Sequence, residues 1–209
     1  MWRSTTNLTM HSNFYPDPAQ WFSADEAFNR LYPENIRALS RKHWTPLLVA
    51  EKAADFLAAE KGAKVLDIGS GVGKFCLAAA YYHPNARFTG IEQRESLIGY
   101  AEKAKATLGL KNVEFLQGNF TELDFSDYDH FYFYNAFYEN ISGTEKIDHA
   151  VNFSDELYSY YNRKLFRQLE KARAGTRLAT YHSIENEVPE AFHEVGSDIN
   201  NLLKYWIKL

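Results

Sequence analysis

The period of the hydrophobic positions changes several times along the chain. Leu47, Ala50, Ala54, Leu57 and Ala58 recur on one face, which predicts a helix running to about Glu60. Thr45-Pro46 precedes it, a good N-cap followed by a residue favoured in the first helical turn. From Lys64 onward, short apolar runs alternate with longer amphipathic ones. Strands are predicted over 64–68, 87–92, 113–117, 130–134 and 176–181, and helices over 74–82, 95–108 and 155–172. In the last helix Leu157, Tyr161, Leu165 and Leu169 form the buried stripe, and Ser154 can cap it. Two further runs, 192–195 and 202–208, read as a final strand pair. This order predicts an α/β fold: a doubly wound, mostly parallel seven-stranded sheet with an antiparallel final edge strand.

Residues 1–45 lack that alternation. Tyr15-Pro16-Asp17-Pro18 reads as extended or turn, because residues before proline avoid the helical region. Ala24 to Leu31 reads as a short helix with Ser23 as its N-cap. Trp21, Phe22, Phe28, Tyr32 and Trp44 are apolar anchors too few to fold alone. The chain therefore divides into an N-terminal helical lid, 1–45, and a main domain, 46–209.

Composition narrows the class. The 209 residues are 45% hydrophobic and 24% charged, which fits one globular domain with an appended segment. The longest apolar run, Phe75 to Tyr82, has eight residues, against the ~18 a membrane helix needs. The first ten residues lack the apolar stretch of a signal peptide. Cys76 is the one cysteine, so no intrachain disulfide framework exists and a reduced, cytoplasmic protein is expected. The histidines have no metal-ligand spacing, and no metal is expected. A net charge of −4 argues against strong nonspecific nucleic-acid binding and makes nucleic acid a less expected partner than a small molecule or protein, without excluding a local basic patch. Aromatics are dense: from Phe125 to Tyr138, eight of fourteen residues are aromatic, enough to build core and to line a pocket.

The chemistry concentrates where Val65-Leu66-Asp67-Ile68 runs into Gly69-Ser70-Gly71-Val72-Gly73 and then a helix. A glycine-rich turn between a parallel strand and a helix brings backbone close to a ligand. The dinucleotide fingerprint needs a small residue at its sixth place, where this chain has Lys74. A nucleotide-dependent oxidoreductase is therefore disfavoured. The pattern D-x-G-x-G-x-G instead resembles motif I of the class I S-adenosylmethionine (SAM)-dependent methyltransferases. Two further segments agree. Phe88 to Glu92 ends a strand in an acid 19 positions after Gly73, and Val113 to Phe120 resembles the family's third-strand motif.

The resemblance covers roughly residues 45–181 and implies SAM as cofactor. It implies Asp67 orienting the loop and the amino group, with Gly69, Ser70, Gly71 and Gly73 beneath the methionine portion. Glu92 and Gln93 would serve the ribose, Asn119 and Phe120 the adenine, and Thr45, beside Trp44, would touch the cofactor from the lid. Tyr134-Asn135-Ala136-Phe137-Tyr138-Glu139 partly resembles the N-P-P-Y motif of amino methyltransferases. It also resembles the Asn-x-Phe of the non-SET histone-lysine methyltransferases, which share the Gly-Ser-Gly-Val-Gly loop. That likeness marks kinship within the superfamily, not a substrate; if the acceptor is nitrogen, Asn135 would orient it by hydrogen bond and touch the cofactor, with Tyr134 or Tyr138 as further wall. A hydroxyl acceptor would need a base, for which Glu139 and His182 are the candidates. Glu139 also reads as a solvated loop charge, and Tyr132 and Tyr134 as strand core. Arg37, Arg41, Lys42 and His43 form either a solvated face or a phosphate or carboxylate contact on the lid. The loop from Asn140 to Phe153 should shape the acceptor pocket. The implied activity is methyl transfer to nitrogen of a protein side chain or small molecule; a catalytically silent SAM-binding scaffold is the alternative.

Overall fold

The computed structural model describes residues 18–183 and 188–209. Tyr15, Pro16 and Asp17 of the expected N-terminal turn, and the first ten residues of the chain, lie outside the described residues. Strands β1 (Lys64–Ile68), β2 (Arg87–Glu92), β3 (Val113–Gln117), β4 (His130–Tyr134) and β5 (Arg177–Tyr181) pair in parallel. With β6 (Phe192–Asp198) and β7 (Leu203–Lys208) they form one seven-stranded sheet, ordered β3-β2-β1-β4-β5-β7-β6. β7 is antiparallel to both neighbours and lies inside β6, which forms the edge. β1 and β4 are buried almost throughout, as central parallel strands are, and are mostly apolar, with Asp67 the buried carboxyl within β1.

Helices α4 (Leu47–Leu57), α5 (Lys74–Tyr82) and α6 (Glu95–Leu108) cover one face of the sheet. α7 (Asp155–Lys171) covers the other, and Ser154 caps it by accepting from the Leu157 N–H. That second face has less helix, because the β3–β4 connection carries only two short 3-10 turns, Phe120–Glu122 and Phe125–Asp127. Phe120, Phe125, Phe131, Phe133 and Phe137 fill the space, each burial worth about 1.5–3 kcal/mol. Most of the aromatic surplus is therefore core.

The N-terminal segment contributes α1 (Asp25–Asn29), α2 (Glu34–Arg37) and α3 (Ser40–His43). Helices this short have no independent stability and must be held by packing. Phe22 stacks on Tyr81 at 4.0 Å, Phe28 and Tyr32 are buried, and the Tyr32 hydroxyl donates to the Val72 carbonyl at 3.0 Å. Lys74, 4% exposed, donates to Asp25 and to Asn29. Burial lowers its pKa, while the hydrogen bond and charge of Asp25 work the other way. Two expected caps are corrected. Ser23 does not cap α1; its hydroxyl donates to the Gln20 carbonyl. Thr45 does not cap α4; Pro46 stands there, and the Leu47 N–H is taken by the Asp25 carboxylate at 3.0 Å. Thr45 is instead turned inward, 3.1 Å from the Tyr132 hydroxyl. Among the described residues no helix is long and apolar enough to cross a membrane.

Candidate functional site

In this strand order the chain departs in opposite directions from β1 and β4, and a crevice opens beyond their carboxyl ends. A cavity of about 650 Å³ occupies it. Gly69, Gly71, Glu92, Gln93, Phe120, Asn135 and Tyr138 all line that cavity, so seven of the expected site residues come together. Thr45, Asp67 and Ser70 line a smaller recess of about 30 Å³ just inside it, which also meets Gly69.

The loop after β1 is held by β2. The Gly69 and Ser70 N–H groups both donate to the Ile91 carbonyl, at 3.0 and 2.9 Å. Gly69, at φ +81, lies so close to the β4 loop that an added Cβ would stand 2.4 Å from the Ala136 Cβ. Gly71 has positive φ and open space where a Cβ would be, a free backbone surface toward the cavity. Gly73 works differently: a Cβ there would strike the Phe115 ring at 2.4 Å, so it serves helix–strand packing. Asp67 does not bind the loop backbone. It is buried and accepts from the Cys76 thiol at 3.5 Å. Burial pushes its carboxyl up to about 7, with the Cys76 bond opposing and Glu92 adding to the rise.

Glu92 ends β2, buried, and faces the cavity. Its oxygens accept from the Gly71 N–H at 3.2 Å and the Arg94 N–H at 2.9 Å. Burial raises its pKa against those bonds and the Arg94 charge. Asn119 caps the next 3-10 turn through its carbonyl and donates to Gln93 and the Tyr161 hydroxyl, at 3.2 and 2.9 Å. Phe120 stacks on Phe137 at 5.1 Å.

On the acceptor side, Asn135 and His182 follow β4 and β5 with φ +42 and +54, left-handed values uncommon for non-glycine residues. The Asn135 side chain makes no hydrogen bond among the described residues and lines the cavity. Tyr138 is 45% exposed at the mouth. Tyr132 is core, stacked on Phe75 at 3.8 Å, but Tyr134 is half-buried, lines the cavity and donates to the Lys42 carbonyl at 3.2 Å. Arg41, Lys42 and His43 also line the cavity, whereas Arg37 does not; burial lowers the His43 pKa.

Glu139 is neither a solvated charge nor a free base. It is buried, with both oxygens on Arg94 Nη2 at 2.9 and 3.0 Å, and it accepts the Ile147 N–H at 2.7 Å. Arg94 also reaches Asp148 through Nε at 2.9 Å and stands 3.6 Å from Glu92. One guanidinium thus ties the β2 end to the loop after β4. Neither Arg94 nor Lys74 was singled out from the sequence for such a role. Both stand at helix N-termini, where the dipole disfavours a cation unless a carboxylate answers it.

The chain belongs to the methyltransferase domain family, which matches residues 59–206. An oxidoreductase is excluded by that membership. A tRNA (guanine-N(7)-)-methyltransferase of Synechocystis sp. is 38% identical over 92 residues, 40% of this chain and 43% of its own length. A ribosomal RNA small subunit methyltransferase G of Moorella thermoacetica is 38% identical over 80 residues, 37% of this chain and 31% of its own. The match therefore spans less than half the length of these relatives. Among solved structures, TrmN from Thermus thermophilus superposes with TM-score 0.57 at 18% identity, over 83% of this chain and 52% of that one. An RNA methyltransferase from Salinibacter ruber in complex with S-adenosyl-L-homocysteine superposes with TM-score 0.53 at 23% identity, over 79% and 92%. Both likenesses support the fold described above.

The residues fit SAM, the cofactor of this family. Ser70 Oγ is buried beside the recess and finds no hydrogen-bond partner among the described residues. Gly71 leaves room for a ligand, and Glu92 presents acceptor oxygens. Among the described residues no cluster of three or more His, Cys, Asp or Glu could hold a metal ion. The expectation against a nucleic-acid partner is overturned by relatives named for tRNA and rRNA. Its physical weakness is that −4 is a whole-chain average, while Arg41 and Lys42 stand at the cavity itself.

Proposed function

We propose that the protein moves a methyl group from SAM to a ring nitrogen of a purine in RNA. The RNA class rests on the names of the curated relatives. The atom rests on one observation: every carboxylate lining the cavity already has a partner. Glu92 accepts two backbone N–H groups, Glu139 holds Arg94, and Glu145 pairs with Lys42. A ring nitrogen such as guanine N7 has an in-plane lone pair and no proton to lose. It needs alignment and desolvation rather than a base.

When bound, SAM supplies a methyl group made electrophilic by its sulfonium. In this reading Glu92 accepts from the ribose hydroxyls, Gly69 and Gly71 offer backbone, and Asp67 faces the amino group. Thr45 and Ser70 close the inner recess. Asn119 and Phe120, with Gln93, border the adenine. Asn135, its amide uncommitted, orients the acceptor base by hydrogen bonding, and Tyr134 and Tyr138 supply flat walls for stacking. Residues 18–45 act as a cover fixed over the cofactor end. The likeness to histone-lysine methyltransferases lies in the glycine loop and Asn135-Ala136-Phe137, and brings no acceptor with it.

Incubating the protein with methyl-labelled SAM and separated RNA and protein fractions of one extract tests the reading. Label is expected in RNA. Label confined to protein, or to small molecules, overturns it.

A further inference from the structure

We propose that the N-terminal segment carries a phosphate-binding track, formed by Arg30, Arg37 and Arg41, that leads an RNA strand into the acceptor cavity. This rests on the RNA reading above and adds where the strand runs.

Arg30 follows α1, Arg37 ends α2 and Arg41 lies in α3, yet the three line one open groove of about 630 Å³. Arg41 lines the acceptor cavity as well, so the groove and the cavity meet at its side chain. All three are exposed, and none has a carboxylate partner among the described residues. Lys42, beside them, is committed to Glu145. From residue 30 to 43 the chain has four Arg or Lys against one acid, Glu34, although the whole protein is acidic. A guanidinium presents a planar fork of donors that matches phosphate oxygens.

The segment that carries these side chains is anchored to the main domain. Lys74 pins Asp25 and Asn29 from below, Tyr32 bonds the Val72 carbonyl, and Trp44 packs on Tyr32 with ring centroids 4.8 Å apart. The segment is therefore tied to the main domain on both sides of the arginines, and its backbone has less freedom to lose on binding than a loose basic tail would. The segment also precedes residues 59–206, so the family's common domain does not account for it. Two acids, Glu26 and Glu34, line the same groove. They face the same strand and oppose it, which gives the track a test of opposite sign.

The experiment is fluorescence anisotropy with end-labelled bulk tRNA between 50 and 200 mM salt, alongside calorimetry with SAM. Arg30→Gln/Arg37→Gln is expected to weaken tRNA binding by roughly tenfold at low salt. The slope of log affinity on log salt should flatten by about 0.7–0.9 for each arginine–phosphate pair removed. Glu34→Gln is expected to tighten binding, and SAM affinity should stay at its wild-type value in both variants. If the wild type binds and methylates RNA while these variants keep its affinity and salt slope, the track is refuted and the RNA reading stands. If the wild type binds SAM but neither binds nor methylates RNA, the RNA reading falls and the track with it.

Discussion

Replacing Arg94 with methionine removes the one cation shared by Glu92, Glu139 and Asp148 while keeping most of the side-chain stem. The Arg94, Glu92 and Glu139 side chains are 5%, 8% and 11% exposed, so two carboxylates are left buried without their countercharge. Removing one partner of a buried ion pair costs about 3–5 kcal/mol. The lower figure applies here, because the Gly71, Arg94 and Ile147 N–H groups still reach the two carboxylates. Asp148 is 36% exposed and adds little. For a chain of this length about 3 kcal/mol lowers Tm by roughly 6–12 °C. The direction with pH follows from Glu92, whose folded pKa is already raised by burial and rises further without the guanidinium. An acid with a raised folded pKa contributes full stability below its unfolded value and loses it as pH rises. The deficit of Arg94→Met should therefore narrow as pH falls from 7.5 to 5. Thermal unfolding followed by circular dichroism at both pH values reads this. A Tm within 2 °C of wild type, or a deficit the same at both pH values, would refute the assignment of Arg94 as the clamp.

Other consequences are equally concrete. Burial pushes the Asp67 carboxyl up to about 7, and the cationic amino group of SAM, in the placement proposed above, should draw off its proton. Binding at pH 7 then releases protons, seen as a calorimetric enthalpy that varies with the buffer; an enthalpy independent of buffer would contradict this. By the same shift, stability from Asp67 is complete below about pH 4 and is lost as pH rises through 7, so Asp67→Asn should flatten the stability profile over that interval. Gly69→Ala adds a Cβ 2.4 Å from the Ala136 Cβ at φ +81, and should cost at least ~1–2 kcal/mol of stability and most SAM affinity; wild-type SAM affinity would show that the two loops need not touch. His182→Ala should lower transfer less than about tenfold, whereas loss of a general base costs 10²–10⁴. A loss in that larger range would make His182 the base and point to an acceptor that must shed a proton.

The parallel sheet was legible because β1 to β4 are short, mostly apolar runs, with the buried helix α5 and the striped helix α6 between the first three and turns before the fourth. Their boundaries match the expected ones from Lys64 to Tyr134. The cofactor end was legible for a related reason: Gly69, Gly71 and Glu92 occupy fixed distances along one βαβ unit, and local spacing decides their meeting. What escaped was decided by contacts between distant segments. Asp25 caps a helix that starts 22 residues later, which displaced Thr45 from that role. Glu139 looked like a loop charge because its partner, Arg94, is 45 residues away. The expectation against a nucleic-acid partner failed because net charge averages over the whole surface, while Arg41 and Lys42 stand at the cavity itself.

The position of the transferred methyl tests the account most directly. RNA modified with deuterated-methyl SAM, digested to nucleosides and resolved by mass spectrometry, should show the label on a purine ring nitrogen that bears no proton, such as guanine N7. Label on a ribose 2′-hydroxyl, an exocyclic amine or guanine N1 would contradict it, because those acceptors must lose a proton.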